Sequence, residues 1–192
     1  MTQMPQMAPG PAARICAICA IRGWLGLLAL FAGCGAAKGP SPATPPATVE
    51  QFAQLRVTYG DGDDFAARCE AGRAQGMREV NRLAEAGNWE GVLAITMPWV
   101  RDCPVDVMSR HITAAALTQL GRSDEAHEHV LWYRGLIESV LVSGDGRTPQ
   151  TAFVVISIPE EYAVLRALQL QPQKQALLDG GIDAITVQSA RG

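Results

Sequence analysis

The sequence predicts a mainly α fold in which consecutive helical hairpins are closed at their C-terminal end by a small β-α-β-β module. Three observations carry this reading. Apolar residues recur at three- and four-residue spacing through four successive segments between Phe65 and Leu141. Gly87 and Gly121 punctuate those segments at the same phase, 34 residues apart. Beyond Gly146 the pattern changes to a β-branched run, one helix-length segment and two short runs around Asp179-Gly180-Gly181.

The chain opens on residues 1–33, which read as a leader. Arg14 and Arg22 precede or flank the apolar run from Trp24 to Phe31, and that run is far shorter than the ~20 residues a spanning helix requires. It closes on Leu30-Phe31-Ala32-Gly33-Cys34, which resembles the cleavage and lipidation site of bacterial lipoproteins, with Phe31 where Leu is more usual. Residues 1–33 are then removed, and acylated Cys34 anchors the protein to a membrane through lipid. Each buried methylene contributes ~0.8 kcal/mol, so two or three acyl chains hold where one is marginal. Gly35 follows, where an Asp would favour inner-membrane retention, and the expected location is the outer membrane, facing the periplasm. Cys16 and Cys19, in a two-residue-gap pair, fall inside the leader.

Residues 34–50 read as a tether, because Pro40, Pro42, Pro45 and Pro46 lie among Ala, Gly, Ser and Thr, a composition that buries little and stays extended. Residues 51–142 form the helical array, and 143–192 the α+β module packed on it. The array is introduced by a short periodic stretch from Val49 to Tyr59. Asp61, Asp63 and Asp64 follow, but their spacing lacks the alternation of a calcium-binding loop, and Asp63 or Asp64 is expected to cap the next helix. The helices are expected over 65–86, 89–101, 107–120 and 123–141.

The 34-residue interval is the repeat length of tetratricopeptide helix pairs. Leu83 aligns with Leu117, Ala86 with Leu120, Glu90 with Asp124 and Val92 with Ala126, while Pro104 falls where this repeat often ends its second helix. Val92 departs from the usual small residue, and Glu138 stands where a terminal Pro is common. The fold class is therefore mainly α, with tetratricopeptide-like helical hairpins capped by the C-terminal module, and Gly87, Trp89, Pro104, Gly121 and Ala126 as its turn and packing positions. Two units are fewer than a free-standing solenoid needs, so neighbouring elements must cap them. At ~1.5 Å per residue, antiparallel helices bring Cys69 and Cys103 to the same end of a hairpin. An exported chain with this one remaining pair is expected to oxidise it.

In the last module, 152–158 reads as a strand, and Pro159 opens a helix with Glu160 and Glu161 in its first turn and apolar residues as far as Leu170. Runs at 175–178 and 182–187 form a hairpin about Gly180-Gly181. Tyr133-Arg134-Gly135-Leu136-Ile137, Ser143-Gly144-Asp145-Gly146, Thr151-Ala152-Phe153-Val154-Val155, Glu160-Glu161-Tyr162-Ala163-Val164-Leu165 and Asp183-Ala184-Ile185 together resemble the bacterial family known as domain of unknown function 4919. Ile182 stands where relatives often have Tyr. The resemblance implies a small exported protein with a helical-repeat front half, and it implies no catalytic residue.

Sixteen basic and 19 acidic residues give a net charge of −3, without any basic cluster, which argues against nucleic acid as a partner. His127 and His129 project about 200° apart on a helix, unsuited to sharing a metal, and His111 stands alone. No cofactor or metal is expected. The reading is a membrane-tethered lipoprotein that acts as a protein- or peptide-binding scaffold in the cell envelope, not an enzyme. The alternative is a small hydrolase using acidic residues at the helix-to-sheet junction, where Asp145, Glu160, Glu161 and Tyr162 form the candidate binding or active site.

Overall fold

The computed structural model describes residues 14–20 and 44–189, and the expected tether segment 34–43, with Cys34, lies outside them. The elements in order are β1 (Arg14–Ala20), α1 (Val49–Gly60), a π-helical segment (Ala66–Ala71), α2 (Gly72–Glu85), α3 (Trp89–Asp102), α4 (Val107–Gln119), α5 (Ser123–Leu141), β2 (Phe153–Val155), α6 (Ile158–Ala167), β3 (Leu170–Leu178) and β4 (Ile182–Ser189). The fold is mainly α with a small sheet, as its periodicity dictates. Among the described residues no helix is long and apolar enough to cross a membrane.

Helix α1 begins two residues inside the stretch read as tether. Thr48 Oγ1 accepts from the backbone N–H of Gln51, whose side chain in turn accepts from the backbone N–H of Thr48, a reciprocal cap that satisfies two otherwise orphaned donors. The array then descends through two hairpins of matching construction. Gly87 and Gly121 both adopt the left-handed conformation (φ +69° and +73°), which costs a residue with a Cβ about 1 kcal/mol. At the first, Asn88 N–H donates to Leu83 O and Gly87 N–H to Ala84 O; at the second, Arg122 N–H donates to Leu117 O and Gly121 N–H to Thr118 O. Both helix ends thus close by the same two bonds in the same 34-residue register. Leu83, Val92, Leu117 and Ala126 lie together in one buried cluster against partly buried Trp89.

The stretch 65–86 is not one regular helix. Its first part is π-helical, and that part carries Cys69, which is bonded to Cys103 immediately after α3. Both cysteines are buried in the main core. The Asp64 carboxylate meets the Arg68 side chain rather than a backbone N–H of the first turn, and Arg68 Nε donates to Asp102 O across the same junction. Pro104 is buried just beyond, and its carbonyl accepts from Arg110. Because the bridge closes a loop between positions 34 apart, its reduction is expected to destabilise the fold by about 2–5 kcal/mol. Non-reducing electrophoresis should show a faster band that slows with dithiothreitol, together with a lower thermal midpoint; two freely alkylated thiols in the native protein would contradict the bridge.

The C-terminal module differs from expectation at both ends of α6. Strand β2 stops at Val155, and Ser157 caps α6 by accepting from Glu160 N–H, so Ile158 is the first helical residue rather than the last of a strand. Helix α6 ends at Ala167; Gln169 takes a positive φ of 56°, and Leu170 opens β3 instead of continuing the helix. The hairpin is longer than its apolar runs suggested, because β3 continues back through Pro172 with a register shift between Pro172 and Lys174. A polar, exposed strand gives little periodic signal, which is why it escaped the pattern.

The sheet has the order β2-β1-β4-β3. Strand β1 runs parallel to β2, with Ile18 beside Phe153 and Ala20 beside Val155, and antiparallel to β4, with Arg14 beside Val187 and Cys19 beside Ile182. A segment read as part of a leader therefore fills the centre of the sheet. The main core lies between this sheet and the helices: Phe52, Trp132, Leu136, Val140, Phe153, Val155, Val164, Leu165, Ile185 and Val187 are all buried. Phe52 meets Trp132 edge-on at 5.5 Å, and it seats directly on Gly135, where any Cβ would collide with its ring.

Candidate functional site

The acidic residues at the junction between helices and sheet separate into distinct local arrangements. Asp145 sits in an exposed turn, where it accepts from Arg147 N–H and from the Thr151 hydroxyl, and these bonds hold its carboxyl below the usual range. Its neighbour Ser143 donates to Val140 O and accepts from Val154 N–H, tying the end of α5 to β2.

Glu160 is held elsewhere. Its carboxylate takes both Nε and Nη2 of Arg56 at 2.7 and 2.8 Å, and it also accepts from Ile156 N–H at 2.8 Å. Arg56 reaches further, donating to Val154 O at 2.8 Å and to Ser139 Oγ at 3.3 Å. Arg56 is 2 % and Glu160 1 % exposed. One ion pair therefore fastens α1, α5, β2 and α6 at their common centre. A bidentate pair with its remaining donors satisfied is the arrangement in which burial of two charges is tolerated.

Glu161, the next residue, is also 1 % exposed but forms no ion pair among the described residues. Burial first, then the charge of Asp183 and a hydrogen bond with it, raise its carboxyl to about 7. Gln175 Nε2 donates to Glu161, and the Tyr162 hydroxyl donates to Gln175 Oε1, so α6 is laced to both strands of the hairpin. The sequence grouping thus survives only in part. Glu161 and Tyr162 share Gln175, whereas among the described residues Asp145 and Glu160 have separate hydrogen-bond partners.

Arg56 and Ser139 were not singled out from sequence, and Asp183 counted only as part of a family motif. Arg56 was detectable, since it lies four residues after Phe52 and so shares the buried face of α1; a lone arginine on an apolar stripe signals a partner in the core.

Beside Tyr162 opens a cleft of about 380 Å³, lined by Tyr162, Leu165, Arg166, Gln169, Leu170 and Pro172, where α6 passes into β3. Arg166 also influences His111 and Tyr133 from α4 and α5, whose rings lie 5.2 Å apart. Burial, with the Arg166 charge second, holds the His111 imidazole below its ordinary value.

His127 and His129 do diverge, but they do not share a solvated face. His127 is exposed, while His129 is buried and pushed down to about 4 by burial and by the neighbouring Arg110 charge. Arg110 is buried as well, stacked over the Trp132 ring at 4.0 Å, and its loss of water lowers it to about 10. Among the described residues, no group of three His, Cys, Asp or Glu side chains is placed to hold a metal ion.

No curated protein and no solved structure matches the chain. The family described as "Domain of unknown function (DUF4919)" matches residues 47–192, from the cap of α1 through the whole array and sheet hairpin. The polar residues that carried the resemblance are those that close the Asp145 turn, fasten β2 to α5 and set α6 against the hairpin. On a match that spans most of its length, the chain belongs to the domain of unknown function 4919 family.

Proposed function

We propose that this protein is a membrane-tethered lipoprotein that acts as a protein- or peptide-binding scaffold in the bacterial cell envelope. Acylated Cys34 moors it to the outer membrane, and the Pro-rich stretch before Thr48 spaces the domain from the bilayer. The observation that carries the binding role is the pair of hairpins whose ends close by identical bonds 34 residues apart, because stacked tetratricopeptide-like units present an extended surface rather than an enclosed pocket. Met97 on α3 and Val130 and Leu131 on α5 remain exposed on that array. The acidic side chains fit this reading: Glu160 is committed to Arg56, and Glu161 is sealed from solvent behind the hairpin.

Labelling of growing cells with a palmitate analogue is expected to mark the protein, and Cys34→Ser to abolish the mark and leave residues 1–33 attached. Crosslinking in intact envelopes should then retrieve one defined protein partner. An unlabelled protein would remove the anchor, and crosslinks that scatter among abundant envelope proteins would remove the scaffold.

A further inference from the structure

The centre of the sheet is a place for one strand, and in the scaffold reading the segment that fills it is cut away. We infer that the slot between β2 and β4 is a strand-acceptor site, and that its occupant in the processed protein is an extended seven-residue segment of a partner. This deepens the scaffold proposal and rests on it.

The slot is built independently of β1. Along a strand, the polar backbone groups of successive residues point to opposite edges. Val154 N–H is taken by Ser143 Oγ and Val154 O by Arg56 Nη2, so those groups face away from β1, and Phe153 and Val155 present theirs to the slot. These two bonds pin β2 to α5 and α1 whether or not β1 is present. On the far side β4 is held by its ladder with β3. Neighbouring strands lie about 4.8 Å apart, so two fixed walls with one strand missing leave a gap of roughly 9–10 Å. Such a gap is too wide for β2 and β4 to pair, and β2 cannot move inward without breaking the buried bonds of Arg56.

An empty slot would leave both inner edges without backbone partners and open the core beside Val155, Ile185 and Val187, each 1 % exposed or less. Adding a strand repairs both edges at once, which is stronger than addition to an ordinary edge, where only one ladder forms. The filling segment sets the occupant's chemistry. Arg-Ile-Cys-Ala-Ile-Cys-Ala has β-branched and small residues, no acidic side chain and no proline. Its direction is parallel to β2 and antiparallel to β4.

The experiment uses the protein as cells make it, purified from envelopes, with its N-terminus read by mass spectrometry. The probe is the acetylated heptapeptide Arg-Ile-Ser-Ala-Ile-Ser-Ala, with serine replacing cysteine to avoid thiol chemistry. If residues 1–33 are absent, the peptide is expected to bind at one site, raise the thermal midpoint and slow hydrogen exchange at Phe153, Val155 and 182–187. The same peptide with proline at its second Ile should bind at least about tenfold more weakly, since proline removes a ladder donor. No binding to the folded, processed protein would overturn the inference while leaving the anchor intact. If residues 14–20 are still attached, the lipoprotein reading fails and the partner as occupant falls with it, because the chain then fills its own slot, and only the slot itself is judged, in the chain. Ile18→Pro should then speed exchange at Phe153, Val155 and 182–187, and unchanged exchange would overturn it.

Discussion

Replacing Arg56 by methionine is expected to lower the folding free energy by about 3–5 kcal/mol, the cost of stranding the Glu160 carboxylate in the core. Glu160 would keep only the Ile156 N–H as a donor, and Val154 O and Ser139 Oγ would each lose the guanidinium. Arg56→Lys should recover little, because an ammonium is a single point and cannot span two carboxylate oxygens and a carbonyl together. The pair as a whole is worth far less than either single substitution suggests. Arg56→Met combined with Glu160→Leu removes both charges, and such replacements are often neutral or even stabilising. Urea denaturation of the two single variants and the double variant closes the cycle. Strictly additive losses would show that the two residues act separately, and a loss below about 1 kcal/mol for Arg56→Met would show that water reaches the site.

The helical array was the most legible part of the chain for a physical reason. Its helices are amphipathic and short-looped, so periodicity marks their bodies and Gly87 and Gly121 mark their ends, where only a positive φ closes the turn. The bridge between Cys69 and Cys103 was legible because antiparallel packing of the flanking helices brings the two to one end of a hairpin. Only the first half of β3 was obscured, since residues on an exposed strand need not alternate and a proline within it argues against a strand at all. The role of 14–20 was obscured differently. The segment lies ahead of the apolar run from Trp24 to Phe31, and a short stretch of Ile, Cys and Ala carries no compositional mark that separates part of a leader from a strand. At the junction, clustering of acidic residues in sequence suggested a shared site, but α6 turns successive residues by about 100°. Glu160 consequently faces Arg56 of α1, whereas Glu161 faces Asp183 of β4. Long-range partners of that kind, 104 positions apart for Arg56 and Glu160, leave no local trace.

Glu161→Gln is expected to stabilise the protein at neutral and alkaline pH and to change little at about pH 4. Folding raises the Glu161 carboxyl from its ordinary 4.5 to about 7, through burial first and the nearby Asp183 second. The folded state therefore favours the protonated acid, and the sign follows from proton linkage. Below about 4.5 both states hold the proton and nothing is lost. Between about 4.5 and 7 the unfolded chain has released the proton while the folded state still holds it, so roughly 3 kcal/mol of stability is lost across that window, and above 7 the folded state carries a buried anion beside Asp183 with the loss complete. Glutamine imitates the protonated acid at every pH. Its amide can donate toward Asp183 while its carbonyl still accepts from Gln175 Nε2. His129, held near 4 by burial, acts in the opposite sense, weakening the fold as pH falls, but it is common to both proteins and cancels in their difference. The difference in unfolding free energy between variant and parent should accordingly be near zero at about pH 4, climb between about pH 4.5 and 7, and level off above. Asp183→Asn should make that climb smaller and end it at lower pH, because it removes the two lesser causes and leaves burial alone. A difference that stays flat from pH 5 to 9 would mean that the Glu161 proton plays no part in holding α6 against the hairpin.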